Sequence, residues 1–430
     1  MNTADLIRRR EAAVPRGVAS ATTVYAARAQ GAELWDVDAR RYIDFAAGIA
    51  VVNTGHNHPK VRAAAIAQLE KFHHVCFQVT PYEPYLALSE RLNAVVPARG
   101  PKKTIFFTTG AEAIENAVKI ARYATKRSGV IAFSGGFHGR TFMAMALTGK
   151  VAPYKLGFGP LPAEAYHLPF PNPLHGVTLD DSLRSLETLF RTDLDPERVA
   201  AIIIEPIQGE GGFYVAPTAL LRRLRSLCDE HGIVLVVDEI QTGFARTGRM
   251  FACEHSGIEP DLVTMAKGIA GGFPLSAVTG GVEIMDAVGP GGLGGTFAGS
   301  PIACAAGLAV LDVIEEERLI ERASVIGHSL RERLATFAEK SRGAIGEVRG
   351  LGAMMAIELV KRGESSCVPD PDCTKGVVAR AAHCGVLVLP CGVWSNVIRL
   401  LPPLTASDAL IHEGLDRLEK ALSDEGVLVS

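Results

Sequence analysis

Two charged residues lie at the ends of apolar segments, where a charge is costly unless it binds something. Asp238 ends the apolar run 233–237, and Lys267 follows a second apolar stretch at 262–266. Glycines at 268, 271 and 272 leave room beside the lysine for a flat ligand. A buried amine and carboxylate that do not pair can bind one heteroaromatic cofactor, the lysine as a Schiff base and the aspartate at a ring nitrogen. Lys267 and Asp238 are therefore the predicted catalytic residues with pyridoxal phosphate, against the alternative of a capping aspartate and a structural ion pair.

A phosphate site is predicted at 108–113, where Thr-Thr-Gly-Ala-Glu-Ala follows a strand and opens a helix. The free amides of such a first turn, here at Gly110 and Ala111, bind anions with the help of the helix dipole. The glycine-rich stretch 291–301 is predicted to be a loop whose amides and Thr296 hydroxyl approach a phosphate. Because no clear strand precedes this loop and no acidic partner follows it, a dinucleotide site is not predicted.

Five further side chains near predicted strand ends are candidates for the same pocket. Phe137 can stack on a pyridine ring, and Arg140 can hold a substrate carboxylate in bidentate geometry. Glu205 is predicted near the ring, Glu210 near the substrate, and Gln241 near the phenolic oxygen of the cofactor. The competing interpretations are core packing for Phe137, a surface ion pair for Arg140 and solvated loop charges for the two glutamates.

Composition excludes several classes of function. The 430 residues carry a net charge of −3 and contain no block of five or more like charges, which disfavours binding to nucleic acid. Apolar stretches are interrupted before 18 residues, and the N-terminus lacks the apolar core of a signal peptide, so we expect a cytoplasmic protein without a membrane span. The eight cysteines are scattered without a C-x-x-C pair, which predicts reduced thiols and no metal site.

The chain alternates helical and apolar strand patterns over much of its length, which predicts an α/β fold with a mostly parallel sheet covered by helices on both faces. The predicted organisation is an N-terminal arm at 1–60, a large domain at 61–325 and a smaller α+β domain at 326–430 to which the arm also contributes. The strand candidates are 103–108, 130–133, 200–205, 233–238, 262–266, 386–390 and 397–401, a β-ribbon is predicted at 34–45, and helices are predicted at 112–124, 218–231 and 301–323.

Taken together, five ordered motifs resemble those of the class III, or ω-amino acid, aminotransferases, which are pyridoxal phosphate enzymes of fold type I. The resemblance spans nearly the whole chain and implies that fold. The motifs are Ser-Gly-Gly-Phe-His-Gly-Arg-Thr at 134–141, Glu-Pro-Ile-Gln-Gly-Glu-Gly-Gly at 205–212, Val-Asp-Glu-Ile-Gln-Thr-Gly at 237–243, Ala-Lys-Gly-Ile-Ala-Gly-Gly-Phe-Pro at 266–274 and Gly-Gly-Thr-Phe-Ala-Gly at 294–299.

The resemblance also implies roles for individual residues. Ala111 stands where the family usually has Ser, and Phe137 where many members have Tyr. Thr296 is expected to reach the phosphate from a neighbouring subunit, so the active sites of a homodimer or homotetramer would be shared. The implied cofactor-binding residues are Gly110, Ala111, Phe137, His138, Glu205, Asp238, Gln241, Lys267 and Thr296.

The implied activity is transamination of 4-aminobutyrate with 2-oxoglutarate. Ile49 is expected to line the substrate channel and Arg140 to bind the distal carboxylate. Glu210 and Arg399 are expected to form a switching pair, which is closed for an ω-amino acid and open for the α-carboxylate of 2-oxoglutarate.

Four alternatives remain open at this point. 5-Aminovalerate is one methylene longer, and a pocket discriminates a methylene by only about 1–3 kcal/mol. Ornithine-type substrates are disfavoured because Ile49 offers no anchor for a second amino group. A mutase of the same fold would need no keto acid, and a non-enzymatic ligand-binding role would make Lys267 dispensable.

Overall fold

A computed structural model describes residues 2–363 and 367–429 of the chain. Its strands are β1 (Ala26–Gln30), β2 (Glu33–Asp36), β3 (Arg41–Asp44), β4 (Lys102–Phe107), β5 (Gly129–Phe133), β6 (Ala165–Leu168), β7 (Val199–Ile204), β8 (Val234–Asp238), β9 (Leu262–Met265), β10 (Ser276–Gly281), β11 (Ile345–Leu351), β12 (Met354–Leu359), β13 (Val386–Leu387), β14 (Leu389–Cys391) and β15 (Val397–Leu400).

The helices lie between these strands and on both sides of them. They are α1 (Thr3–Ala13), the single turn α2 (Ala47–Ala50), α3 (Pro59–Lys71), α4 (Glu83–Val95), α5 (Gly110–Thr125), α6 (Phe142–Leu147), α7 (Leu179–Thr192), α8 (Thr218–His231), α9 (Val282–Met285), α10 (Pro301–Glu316), α11 (Leu319–Lys340), α12 (Pro371–Cys384) and α13 (Asp408–Asp424), with short 3₁₀ turns at Pro173–His175, Pro196–Arg198, Ala252–His255 and Lys267–Ala270. Within the described residues, none of these helices combines the length and the apolar character that a membrane span requires.

The central sheet has seven strands in the order β4-β10-β9-β8-β7-β5-β6. The strands from β9 to β6 are parallel, whereas β10 is antiparallel to both of its neighbours. Every residue of β5, β7, β8 and β9 is buried, as expected for parallel strands covered on both faces. Because β7, β8 and β9 are adjacent and parallel, their carboxyl ends bring Glu205, Asp238 and Lys267 to one edge of the sheet.

Two smaller sheets involve the terminal parts of the chain. One joins β1, β2 and β3 to β13, which pairs in parallel with β3 and so connects the N-terminal and C-terminal segments. The other is antiparallel, in the order β11-β12-β15-β14. The predicted α/β fold with a mostly parallel sheet and an additional smaller α+β part is confirmed. The division of the chain at residues 60 and 325 remains a prediction.

Several predicted elements differ from the observed ones. The helix predicted to run from 301 to 323 ends at Glu316, because Arg318 adopts a left-handed conformation with φ of 52° before α11 begins. The strand predicted at 386–390 is divided between β13 and β14, which belong to different sheets. Besides the predicted β-ribbon, the N-terminal arm contains α1, whose capping box is formed by Asn2 and Asp5.

Gly327 in α11 is predicted to be required for packing. A Cβ atom at this position would lie 2.3 Å from the carbonyl oxygen of Gly352, in the turn between β11 and β12. Although alanine favours a helix by about 1 kcal/mol, overpacking against backbone costs about 1–3 kcal/mol, so Gly327→Ala should lower the thermal unfolding midpoint.

Gly376→Ala in α12 is the matched control for this prediction. Its Cβ atom would lie 2.6 Å from a carboxylate oxygen of Glu425, at the end of a side chain that can move. This variant should therefore keep or raise the midpoint. If Gly327→Ala were as stable as Gly376→Ala, α11 would not approach the β11–β12 turn closely enough to require glycine.

Candidate active site

A cavity of about 420 Å³ opens at the carboxyl edge of the central sheet. Its position agrees with the general location of ligand sites in open α/β sheets. It brings together ten of the residues predicted to bind cofactor or substrate, namely Gly110, Ala111, Phe137, His138, Arg140, Glu205, Glu210, Asp238, Gln241 and Lys267.

Asp238 is held at the end of β8 by three donors. One carboxylate oxygen lies 2.7 Å from Nδ1 of His138, and the other accepts the Thr264 hydroxyl and the Ile240 amide, both at 3.1 Å. Burial lowers the pKa of His138, but the hydrogen bond and the charge of Asp238, together with the charge of Glu205, outweigh this effect and raise the pKa above its usual value. The side chains of this pair are almost completely buried, so Asp238 is oriented within the cavity wall.

Thr264 was missed by the sequence analysis. It lies directly opposite Asp238 in the register of the parallel strands β8 and β9. A hydroxyl at a strand end was visible in the sequence, but the register that places it beside the carboxylate was not. Its hydrogen bond supports Asp238 from the neighbouring strand.

Lys267 follows β9 and is partly exposed to the cavity. Its backbone has a φ of 45°, a left-handed conformation that is costly for a residue with a side chain. Within residues 2–363 and 367–429 its amine makes no hydrogen bond or ion pair. Burial lowers the pKa of Lys267, and the carboxylates of Glu210, Asp238 and Glu205 oppose this shift without cancelling it. The amine is thus closer to its neutral, nucleophilic form than an ordinary lysine.

Glu205 connects the end of β7 to the segment that carries Phe137. Its carboxylate accepts the amides of Phe137 at 2.9 Å and Gly209 at 3.0 Å. Burial and the charge of Asp238 raise the pKa of Glu205, the charge of His138 lowers it, and the net pKa is about 7. The carboxyl group therefore fixes the backbone next to Phe137 while lining the cavity.

The N-terminus of α5 borders the cavity at Gly110 and Ala111. The carboxylate of Glu112 accepts the amides of Thr108 and Thr109, at 2.9 and 2.8 Å. The amides of Gly110 and Ala111 make no hydrogen bond within the described part of the chain. A Cβ atom at Gly110 would lie 3.1 Å from Ile240, so glycine allows the close packing of this turn. Two free amides at a helix start form a seat for an anion.

Glu210, which lines the cavity, forms an ion pair with Arg399. Nη1 of Arg399, on β15, lies 2.5 Å from Oε1 of Glu210. Burial raises the pKa of Glu210, but the charge and hydrogen bond of Arg399 dominate and lower it below its usual value. Arg399 is only 4% exposed, and a buried charge without a partner is costly. In the ion pair each charge neutralises the other.

Tyr154 is a second partner of Glu210 and was missed by the sequence analysis. Its hydroxyl donates to Oε2 of Glu210 at 3.2 Å. The centre of the Tyr154 ring lies 4.8 Å from that of Phe137, and the guanidinium of Arg140 lies 4.8 Å from the centre of the Tyr154 ring. The segment around Tyr154 contains no helix or strand, so no periodic pattern marks it in the sequence.

Three predicted site residues are not among those that line the cavity. Arg399 is connected to it through Glu210. Ile49 is 39% exposed, and its φ of 68° places this β-branched residue in a left-handed turn. Val51, two residues further along the chain, lines the cavity instead. Thr296 is exposed, and no contact with the described residues places it at the cavity.

The residues present fit pyridoxal phosphate. Among the residues that the structure describes, the Lys267 amine and the first amides of α5 have no partner, and they line the same cavity as the fixed Asp238. The buried Oε1 of Gln241 likewise accepts no hydrogen bond from the described residues, so this amide has capacity for a polar ligand. The cavity thus offers an amine for the carbonyl carbon of this cofactor, a carboxylate for its ring nitrogen and backbone amides for its phosphate.

Comparisons with known proteins agree with this fit. The family model described as aminotransferase class III matches residues 14–422. The 4-aminobutyrate aminotransferase GabT of Escherichia coli is 54% identical over 98% of this chain and 98% of the relative. The 5-aminovalerate aminotransferase DavT of Pseudomonas aeruginosa is also 54% identical, over 97% of this chain and 98% of the relative.

A solved structure supports the same assignment. An amine transaminase from an uncultivated Pseudomonas species, solved in its PLP-bound form, has a TM-score of 0.87 and 33% sequence identity, with 96% of each chain covered. The family match and these relatives cover almost all of the sequence. The chain therefore belongs to the class III aminotransferases and is a pyridoxal-phosphate-dependent aminotransferase.

Proposed function

We propose that this enzyme transfers the amino group of 4-aminobutyrate to 2-oxoglutarate, which gives succinate semialdehyde and glutamate. The observation that carries the proposal is the Glu210–Arg399 ion pair beside the cavity that contains Lys267 and Arg140. Arg140 offers a permanent anchor for a carboxylate, and Arg399 offers a second anchor when Glu210 releases it. The 54% sequence identity to GabT supports 4-aminobutyrate as the donor.

In this proposal, Gly110 and Ala111 bind the phosphate of the cofactor, Phe137 stacks on its ring and Gln241 binds its phenolic oxygen. Pyridoxal phosphate, when bound, supplies a carbonyl for the amine and a sink for the electrons of the broken C–H bond. Asp238 keeps the ring nitrogen protonated, since His138 and Thr264 hold its carboxylate in place. Glu205 fixes the backbone beside Phe137.

Lys267 is assigned two tasks, to hold the cofactor covalently between turnovers and to remove the proton from the substrate carbon next to the amine. Both tasks require an unprotonated amine. The low pKa that burial gives Lys267 supports this assignment, because an ordinary lysine would be protonated at neutral pH.

Arg140 is assigned to the distal carboxylate of both substrates, and Ile49 to the wall of the channel next to Val51. The reacting carbon of 4-aminobutyrate bears no carboxylate, so Arg399 can remain neutralised by Glu210. The reacting carbon of 2-oxoglutarate does bear one, so Glu210 must release Arg399. One cavity can then accept a substrate with a carboxylate at the reacting carbon and one without it.

A second candidate donor is 5-aminovalerate. The DavT relative has the same 54% identity as GabT, and one additional methylene changes binding by only about 1–3 kcal/mol. Both donors place no carboxylate at the reacting carbon. Their relative kcat/KM values distinguish the two assignments.

The active sites are proposed to be shared between subunits of a homodimer or homotetramer. Thr296 and Phe297 are exposed in the single chain, and Phe297 is 66% exposed although it is a large apolar residue. A neighbouring subunit would cover Phe297 and bring the Thr296 hydroxyl to the phosphate seat. This arrangement explains why Thr296 is remote from the cavity of its own chain.

The function is tested by incubating the holoenzyme with 4-aminobutyrate and 2-oxoglutarate. Succinate semialdehyde and glutamate should form in equal amounts, and neither should accumulate catalytically when the keto acid is omitted. Lys267→Ala should abolish turnover. Product formation that needs no keto acid would indicate a mutase, and full activity of Lys267→Ala would contradict the assigned role of the lysine.

Arg399→Ala is predicted to separate the two half-reactions. Loss of the α-carboxylate partner should lower kcat/KM for 2-oxoglutarate about 30-fold or more, whereas the value for 4-aminobutyrate should stay within about 3-fold. Single-turnover measurements with each substrate alone provide both values. Equal impairment of the two half-reactions would show that Arg399 does not act as a switch.

Thr296→Ala is predicted to weaken retention of the cofactor without changing the oligomeric state. Loss of one hydrogen bond to a phosphate should increase the dissociation constant of the cofactor by about 10-fold. Thr296→Ser keeps the hydroxyl and is the matched control. Unchanged cofactor affinity of Thr296→Ala, with the oligomer verified by sedimentation, would remove Thr296 from the site.

A further inference from the structure

Glu210 is held by two donors on its two different oxygens. Arg399 binds Oε1 at 2.5 Å, and the Tyr154 hydroxyl donates to Oε2 at 3.2 Å. The two interactions are therefore independent, and loss of the first does not require loss of the second. The side chain of Glu210 is only 18% exposed, so water replaces a lost partner poorly.

The segment that carries Tyr154 is attached to the loop of Glu210. Nζ of Lys150 donates to the carbonyl of Gly392 at 2.7 Å, and the amide of Gly392 donates to the carbonyl of Glu210 at 3.0 Å. The Tyr154 ring also contacts both Phe137 and Arg140. Tyr154 is thus positioned beside Glu210 by contacts that do not include Arg399.

Opening the switch creates an energetic problem for Glu210. When Arg399 binds the α-carboxylate of the acceptor, Glu210 loses its cationic partner but remains a carboxylate in a mostly buried place. A buried carboxylate without a donor is strongly unfavourable, and a charge-assisted hydrogen bond relieves part of this cost. Among the described residues, Tyr154 is the remaining side-chain donor to Glu210.

We propose that Tyr154 is a positioning residue of the switch, whose hydroxyl holds Glu210 in the open state in which Arg399 binds the α-carboxylate of the acceptor. The inference rests on the proposed function. In the closed state Arg399 still neutralises Glu210, so the hydroxyl contributes little there. Tyr154 thereby sets the affinity for keto acids with an α-carboxylate separately from the affinity for ω-amino acids.

The test compares two acceptors on the same aminated holoenzyme. 2-Oxoglutarate requires an open switch, whereas succinate semialdehyde, which lacks the α-carboxylate, reacts with the switch closed. For Tyr154→Phe, the apparent Kd for 2-oxoglutarate in single turnover should rise about 10-fold, and that for succinate semialdehyde should change less than about 2-fold.

Tyr166→Phe is the matched control. The Tyr166 hydroxyl also lies near a carboxylate, that of Glu164 at 3.4 Å, but outside the cavity. This variant should match the wild type with both acceptors. A second readout without turnover is the binding of glutarate, measured by calorimetry on the holoenzyme, which should weaken in Tyr154→Phe but not in Tyr166→Phe.

The outcomes separate this inference from the proposed function. If the wild type does not use 4-aminobutyrate and 2-oxoglutarate, the proposed function fails whatever the variant does. If the wild type is active but Tyr154→Phe affects both acceptors equally, or neither, the inference is overturned and the proposed function stands.

Discussion

The site depends on how Asp238 is held away from Lys267. Asp238 ends β8 and Lys267 follows the adjacent parallel strand β9, so a carboxylate and an amine that could pair come to one edge of the sheet. His138 and Thr264 engage the Asp238 oxygens instead, at 2.7 and 3.1 Å. Lys267 is left without a partner in the described chain, and burial lowers its pKa. Both residues can then act on a shared cofactor.

The sheet explains why these groups meet. Three adjacent parallel strands deliver Glu205, Asp238 and Lys267 to one edge, and the first turn of α5 adds its amides at the same edge. Arg399 comes from the antiparallel sheet near the C-terminus and is connected to the cavity through Glu210. The cavity therefore combines groups from the central sheet with an ion pair to a second part of the chain.

Residues that directly follow apolar strands could be predicted from the sequence. Their side chains must reach the carboxyl edge of a parallel sheet, and motifs such as the one containing Glu205 and Glu210 are therefore visible locally. Tyr154 could not be found this way, since it lies in a segment without helix or strand between α6 and β6, and Thr264 requires the strand register. The break at Arg318 was also hidden, because the helical pattern continues on both sides of a single left-handed residue.

The central claim is that Lys267 carries an amine whose pKa is lowered by burial rather than one stabilised by an ion pair. The most direct test is the pH dependence of acetylation of Lys267 in the cofactor-free protein, with the extent of labelling at this residue measured by mass spectrometry. We expect an apparent pKa below the usual value of 10.5. An apparent pKa at or above 10.5 would show instead that a carboxylate partner stabilises the ammonium of Lys267.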